Sequence, residues 1–168
     1  AGLLMPSYAE RLVRTVKRVT KLPVHVHSHC TSGIAPMTYL KAVEAGCDGI
    51  DTAISPLSMG TSQPATEAMY QAVKNVARCT PLDEEKLIET AEYFRDFRHE
   101  AEEDGRMDRK VMEVDTKTLY YQIPGGMLSN LYAQMKEQGL EDRYTEVLRE
   151  VPRVRKDLGE PPLVTPSS

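Results

Sequence analysis

The sequence has little of several features that mark particular classes of protein. Its three cysteines, Cys30, Cys47 and Cys79, are odd in number and lack CxxC spacing, so neither a disulfide framework nor a zinc knuckle is indicated. No apolar run approaches the roughly 18 residues of a transmembrane helix, and the N-terminus has no basic region before an apolar signal core. Positive charge is not in excess, because the net charge is -4. These absences argue against a nucleic-acid partner and favour a cytoplasmic protein with small-molecule or protein partners.

The length of 168 residues is enough to bury a core, and it suits one domain or part of one. The chain opens abruptly with the apolar residues 1–5 and has no initiator methionine. We therefore expect it to be cut from a longer protein.

Helices and strands alternate in the first 80 residues. Two parallel strands alone neither close a barrel nor form a stable open sheet, so we expect neighbouring strands from upstream residues or another chain. The order predicts a parallel α/β layer. The predicted elements are a helix capped by Ser7 and Glu10, a strand over 24–29, a helix over 35–45, a strand over 49–54 and a helix from Pro64. On the first helix the predicted inward stripe is Tyr8, Leu12, Val16 and Val19.

From Pro81 onward the pattern predicts mainly helices. A long amphipathic helix follows Pro81, and residues 118–123 are predicted to be an extended segment before the break at 124–126. A last helical region over 141–158 is predicted to bend or split at Pro152.

Three of the four histidines lie within five residues, at His25, His27 and His29. Alternation along a strand would bring them to one face, where imidazoles can converge on a metal ion; the other interpretation is a half-buried strand with locally hydrogen-bonded histidines. Functional groups gather at the carboxyl ends of parallel strands, which favours His27 and His29 as metal ligands. On this interpretation His25 is either a core residue or a residue that supports the metal ligands. Two histidines do not complete a coordination sphere, so we expect at least one further ligand, an oxygen donor, from elsewhere.

A second motif covers residues 122–131 and is either a turn before an amphipathic helix or part of a ligand site. Gly125 and Gly126 would let a ligand approach the backbone closely. Ser129 and Asn130 add a hydroxyl and an amide to the first turn of the predicted helix. The hydroxyl could relay a proton, although the spacing does not identify a substrate.

A third motif, residues 51–64, runs from a strand end through a hydroxyl-rich loop into a helix. Capping and turn chemistry account for most of it. In a barrel it would border the same mouth as His27 and His29, and we assign it to the site wall without individual roles.

Taken together, these motifs resemble the carboxyltransferase component of biotin-dependent enzymes: the oxaloacetate decarboxylase alpha subunit, the carboxyltransferase subunit of pyruvate carboxylase, and transcarboxylase. Nearly the whole chain is covered in order, and the ordered set is specific where each motif alone is weak. The matching segments are His27–Gly33, Glu44–Gly46 with Asp51–Ser55, Gly60–Pro64, Gln122–Leu131, and Val151–Arg155 leading to Pro161–Pro166.

The resemblance implies an α/β fold that ends a (β/α)8 TIM-type barrel and continues into a mainly helical funnel domain. Residues 1–80 would be the C-terminal part of the barrel, with two strands and their helices. Residues 81–168 would be the helical carboxyltransferase funnel domain.

The resemblance also implies the roles of the site residues. His27 and His29 would bind a divalent metal (Zn, Mn or Co) together with an aspartate from the first barrel strand and a lysine in a Lys-Asp-Met segment that precedes the Ala-Gly-Leu-Leu of residues 1–4. Ser129 would be the catalytic hydroxyl between substrate and biotin. The remaining assignments, to the substrate or biotin pocket, are Gln122, Gly125, Gly126 and Asn130.

The implied reaction moves a carboxyl group between a 2-oxo acid and biotin on a separate carrier domain. Ser129 and Met127-Leu128 look more like the decarboxylase and transcarboxylase branch, so we expect an oxaloacetate decarboxylase type, with pyruvate carboxylase as the alternative. Cys30 stands where the pyruvate carboxylase branch commonly has aspartate. The implied partners are a biotin carboxyl carrier domain, a 2-oxo acid, a second copy in a homo-oligomer and, as a further possibility, membrane-pump subunits, which would make the location peripheral to a membrane complex.

Two other classes of function remain open from the sequence. A biotin-independent, metal-dependent aldolase or lyase barrel would share the His-x-His strand, but it would have no reason for the segment Pro124–Asn130. A non-catalytic scaffold would need neither motif.

Overall fold

The computed structural model describes residues 2–76, 79–123 and 125–161. Short 3-10 turns at Ser55–Leu57, Arg109–Met112 and Glu141–Arg143 connect some of the longer elements. Within the described ranges the helices are α1 (Pro6–Val19), α2 (Ala35–Glu44), α3 (Thr66–Val73), α4 (Glu84–Glu103), α5 (Lys117–Tyr121), α6 (Gly125–Glu137) and α7 (Tyr144–Asp157), and the strands are β1 (His25–Val26) and β2 (Gly49–Ile50).

The first half forms the expected α/β layer. β1 and β2 pair in parallel, with His25 opposite Gly49 and Val26 opposite Ile50. α2 makes the crossover between them, as a parallel pair requires. The core lies between the helices and the strands and consists of two adjoining groups: Ala9, Val13 and Ala42, and Tyr39, Met69 and Val73.

The buried face of α1 differs from the predicted stripe. Tyr8, Leu12 and Val19 are exposed, whereas Ala9 and Val13 are buried. The reason is close packing of helices, since small side chains such as Ala9 let α1 approach α2. The predicted capping box is also wrong, because α1 begins at Pro6 without a side-chain cap. Glu10 instead accepts hydrogen bonds from Arg14 along the same helix.

The second half is helical, but the extended segment predicted over 118–123 is wrong. Asp115 starts α5 there, because its carboxylate accepts the Lys117 backbone N–H at 2.9 Å and its carbonyl accepts the Thr118 hydroxyl at 2.7 Å. α7 continues through Pro152 rather than splitting. The described helices of this half share a small core of their own, in which Ile123 and Leu148 are buried and Tyr121, Met127, Leu131, Tyr144 and Val151 pack around them. Among the described helices none has the length and apolar character needed to cross a bilayer.

The chain leaves the strand ladder directly after Val26, and Tyr39 of α2 takes over its hydrogen bonds. The Tyr39 hydroxyl accepts the Ser28 backbone N–H at 2.8 Å and donates to the Ser28 carbonyl at 3.1 Å. Tyr39 has no exposed surface. Two residues after Ser28, the backbone N–H of Cys30 donates to the Ser62 carbonyl at 2.8 Å. The turn after β1 is therefore fixed by a buried side chain on one side and by the loop after β2 on the other.

We predict that Tyr39→Phe lowers the free energy of unfolding by about 1–3 kcal/mol, because it leaves a buried N–H and a buried carbonyl of Ser28 without their partner. Equilibrium denaturation of the full parent protein measures this. Tyr70→Phe is the matched control, since among the described residues the Tyr70 hydroxyl accepts the N–H of the exposed Leu82, at 3.3 Å. Equal stability of the two variants would contradict the prediction.

Candidate metal centre

His27 and His29 converge just beyond the carboxyl end of β1. Their Nε2 atoms lie 3.0 Å apart, and the rings meet edge to face with centroids 4.9 Å apart. His29 does not belong to a strand, because β1 ends at Val26. The convergence therefore comes from the turn held at Ser28, and regular strand alternation does not produce it.

The hydrogen bond of His29 fixes which of its nitrogens carries the proton. His29 Nδ1 lies 2.5 Å from the Thr61 carbonyl oxygen, which can only accept. Nδ1 is therefore the protonated nitrogen of the neutral ring. Its Nε2 presents a lone pair toward His27.

His27 is fixed in the same way by Asp51, whose Oδ2 lies 2.7 Å from His27 Nδ1. Hydrogen bonds from His27 and then His25 hold the pKa of the Asp51 carboxyl below its ordinary value, so it is ionised and accepts only. Nδ1 of His27 therefore donates, and in the neutral ring the lone pair is on Nε2.

Two lone pairs 3.0 Å apart repel each other unless a cation or a shared proton lies between them. Zinc binds histidine nitrogen at about 2.0–2.1 Å, so one ion can reach two nitrogens at this separation. The His27 side chain is 53% exposed, which leaves the pair open to an ion and further ligands. Within the described part of the chain, no group of three or more His, Cys, Asp and Glu side chains is arranged to hold a metal ion. The geometry of His27 and His29 therefore fits that of two ligands of one metal ion.

His25 does not join this pair. Its Nε2 lies 2.7 Å from Oδ1 of Asp51, and its ring occupies the space above Gly49, where a Cβ would come within 2.5 Å of His25 Nδ1. The interpretation of His25 as a core residue is wrong for the described structure, because its side chain is 59% exposed. It shares a carboxylate with His27 instead.

Sequence reasoning missed the part that Asp51 plays in this site, because it assigned no individual roles to the residues of the loop that Asp51 begins. The parallel register of β1 and β2, which only the folded structure supplies, places Asp51 there. Because His25 lies opposite Gly49, the residue two positions after Gly49 comes beside the residue two positions after His25.

Cys30, next to His29 in sequence, has no ligand role here. Burial raises the pKa of its thiol to about 11, so the sulfur stays protonated, and only the thiolate is a good ligand. Its side chain has no exposed surface.

Residues before α1 and before α5 pack against the same turn. A Cβ on Gly2 would lie 2.7 Å from the His29 carbonyl oxygen, and the Ser32 hydroxyl donates to the Gly2 carbonyl. The Asp115 backbone N–H donates to the Thr31 carbonyl at 2.7 Å. The helical half is thereby attached to the turn that carries His29.

The second motif lies in the helical half. Gln122 ends α5 in a left-handed conformation (φ 56°), and its side-chain oxygen accepts a hydrogen bond from Arg155 at 3.0 Å. Gln122 lines a cleft of about 730 Å³ with residues that include Leu3, Tyr8 and Arg11. Asn130 is exposed on α6.

Three other residues of this motif, Gly125, Gly126 and Ser129, lie in α6, but their side-chain surroundings are outside the described structure. α6 begins at Gly125, so Ser129 and Asn130 fall in its second turn rather than its first.

Comparison with family models finds two matches along the chain. A model described as HMGL-like matches residues 1–94 of 168, more than half of the chain. A model described as a conserved carboxylase domain matches residues 118–168.

Curated relatives match over the full chain. A pyruvate carboxylase subunit of Methanocaldococcus jannaschii is 54% identical over 169 residues, and its counterpart in Methanothermobacter thermautotrophicus is 54% identical over 168 residues. The methylmalonyl-CoA carboxyltransferase 5S subunit of Propionibacterium freudenreichii subsp. shermanii is 40% identical over 170 residues. The chain covers 29% of each of the first two relatives and 33% of the third, so it spans about a third of their length or less.

A solved structure agrees with these relatives. The carboxyl transferase domain of Rhizobium etli pyruvate carboxylase, determined with pyruvate, superimposes with a TM-score of 0.76 at 33% identity, over 99% of this chain and 28% of that one. The α/β fold of this chain therefore matches part of that carboxyl transferase domain.

The relatives favour pyruvate carboxylase, the alternative from the sequence, over the oxaloacetate decarboxylase type. Identity spread over the whole chain outweighs the few residues, Ser129 and Met127-Leu128, on which the decarboxylase interpretation depended. The chain belongs to the HMGL-like family, and over its whole length it is similar to the two pyruvate carboxylase subunits and to the methylmalonyl-CoA carboxyltransferase 5S subunit.

Proposed function

We propose that the protein containing this chain transfers a carboxyl group between biotin and a 2-oxo acid, with pyruvate and oxaloacetate as the substrate pair. Relatives named as pyruvate carboxylase subunits, 54% identical over the whole chain, support the pyruvate carboxylase direction. The oxaloacetate decarboxylase direction stays the second candidate, because Ser129 and Met127-Leu128 look more like that branch.

The observation that carries the proposal is the pair of Nε2 atoms of His27 and His29, 3.0 Å apart, with the Nδ1 atom of each ring hydrogen-bonded to an acceptor. We assign these two histidines as ligands of a divalent metal, zinc, manganese or cobalt. A metal bound there supplies Lewis-acid polarisation of a substrate carbonyl oxygen. The other ligands are proposed to come from residues outside this chain.

Ser129 is the proposed proton carrier. When pyruvate is carboxylated, the N–C bond of carboxybiotin breaks, a C–C bond forms at the pyruvate methyl carbon, and one proton leaves that carbon. Ser129 passes this proton to N1 of biotin, and the reverse reaction uses the same path. We assign Gln122, Gly125, Gly126 and Asn130 to the walls of the pocket in which this exchange occurs.

Biotin is proposed to arrive on a separate carrier domain. We further propose that residues 1–80 end a (β/α)8 barrel and residues 81–168 belong to a helical funnel domain over its mouth. Two contacts support this arrangement, because both join the helical half to loops that follow the strands. The Asp115 backbone N–H donates to the Thr31 carbonyl at 2.7 Å, and Arg98 donates to the Pro56 carbonyl at 3.0 Å.

The first prediction concerns the metal. The double variant His27→Ala, His29→Ala of the full parent protein, purified without chelator, should lose its bound divalent metal as measured by elemental analysis, because both nitrogen ligands are gone. His99→Ala, a change of the exposed histidine on α4, is the control and should keep the metal. Unchanged metal content in the double variant would exclude the proposed site.

A second prediction concerns the hydroxyl. Ser129→Ala should abolish carboxyl transfer while metal content stays at the wild-type level, because the variant loses only the proton carrier. Ser129→Thr restores a hydroxyl and should retain activity, and Ser7→Ala, on the exposed first turn of α1, should have no effect. Full activity in Ser129→Ala would remove Ser129 from the mechanism.

A further inference from the structure

Asp51 contacts two of the three clustered histidines and uses a different carboxylate oxygen for each. Oδ1 lies 2.7 Å from His25 Nε2, and Oδ2 lies 2.7 Å from His27 Nδ1. The two bonds fix the orientation of the carboxylate, so that one oxygen always faces His27. We propose that Asp51 is the positioning residue of the metal centre, with His25 holding it in place; this inference rests on the proposed function.

The need for such a residue follows from the exposure of His27. Its side chain is 53% exposed, so packing alone leaves the imidazole free to rotate or to carry its proton on either nitrogen. A ring with the proton on Nε2 presents a donor, not a lone pair, toward His29. Hydrogen bonding of the other ring nitrogen to an acceptor is the common means by which proteins fix the tautomer and direction of a metal-binding histidine.

The backbone brings Asp51 to this position through the strand pairing. The Asp51 N–H donates to the Val26 carbonyl at 3.3 Å, which continues the register of β1 and β2 by one step. Gly49 completes the arrangement, because only a residue without a Cβ leaves the space that the His25 ring occupies. Asp51 thus faces His27 from the end of the neighbouring strand β2, and His25 of β1, lying over Gly49, holds it there.

A second carboxylate, that of Asp48, lies at the other end of β2 and can serve as a matched control for Asp51. Asp48 accepts the Val24 backbone N–H at 2.7 Å and the Lys17 ammonium at 2.8 Å, on the side away from the histidine pair. It supports the β1–β2 pairing as Asp51 does, but its hydrogen bonds go to neither His27 nor His29. Asp48→Ala therefore measures what the loss of a structural carboxylate costs without the loss of positioning.

The test uses the full parent protein, stripped of metal and titrated with Mn²⁺ or Zn²⁺. Asp51→Ala should weaken metal binding by about 10- to 100-fold, the usual range for removing the hydrogen-bond partner of a ligand histidine. Asp48→Ala should lower the melting temperature and leave the metal Kd at the wild-type value. A wild-type Kd in Asp51→Ala, or an equal weakening in both variants, would overturn the inference.

A second readout works without metal and separates positioning from direct ligation. Nitrogen-15 NMR of the histidine-labelled apo protein, at a pH where the imidazoles are neutral, reports which nitrogen of His27 carries the proton. The wild type should show the proton on Nδ1, whereas Asp51→Ala should shift the population toward Nε2. An unchanged tautomer in Asp51→Ala would overturn the inference.

The two proposals fail in different ways. If the His27→Ala, His29→Ala variant keeps its metal, the proposed metal site is wrong, and the proposed function loses the observation that carries it. If that variant loses metal while Asp51→Ala binds it as tightly as the wild type, only the positioning role is wrong.

Discussion

The close approach of the Nε2 atoms of His27 and His29 is the constraint around which the described site is built. Two acceptor nitrogens 3.0 Å apart do not stay together by their own attraction, so each ring must be held from behind. Asp51 holds one and the Thr61 carbonyl holds the other, both through Nδ1. The two rings are therefore pre-organised by hydrogen bonds to their Nδ1 atoms, and the space between their Nε2 atoms is where the proposed cation would bind.

Each element of the α/β half contributes to that arrangement. Asp51 directly follows β2, and the loop after it supplies the carbonyl groups of Thr61 and Ser62. α2 supplies the buried hydroxyl of Tyr39, which satisfies both backbone groups of Ser28 between the two histidines. A buried backbone N–H or carbonyl without a hydrogen-bond partner would cost about 1–3 kcal/mol, which explains why a tyrosine hydroxyl lies at this place in the core.

The helical half of the chain is attached to the same turn, so the two halves of the chain are linked at the proposed site. The contact of Asp115 with Thr31 lies just before α5, and α5 leads directly to Gln122 and the beginning of α6. A shift of the histidine turn would therefore also move the segment that carries the proposed proton carrier. A metal-binding element and a proton-transferring element can act on one substrate only if their separation is fixed, because misplacement of catalytic groups by about 1 Å costs large factors in rate.

The sequence by itself determined the α/β order of the first half, the helical character of the second, the candidate pair His27 and His29, and the family, because these follow from the order of the elements, helix periodicity and ordered motifs. It did not determine which face of α1 is buried, since small residues such as Ala9 pack as closely as the larger Leu12 that periodicity favours. It also missed the helix over Lys117–Tyr121, whose start depends on the Asp115 carboxylate.

The tertiary structure alone decided the contacts of Asp51, the tautomers of the two histidines and the use of Tyr39 as a backbone partner. Each of these is a contact between residues 11 to 32 positions apart in the chain. Residue spacing predicts which side chains share an element, whereas hydrogen bonds between elements depend on strand register and loop path, which appear only when the chain has folded.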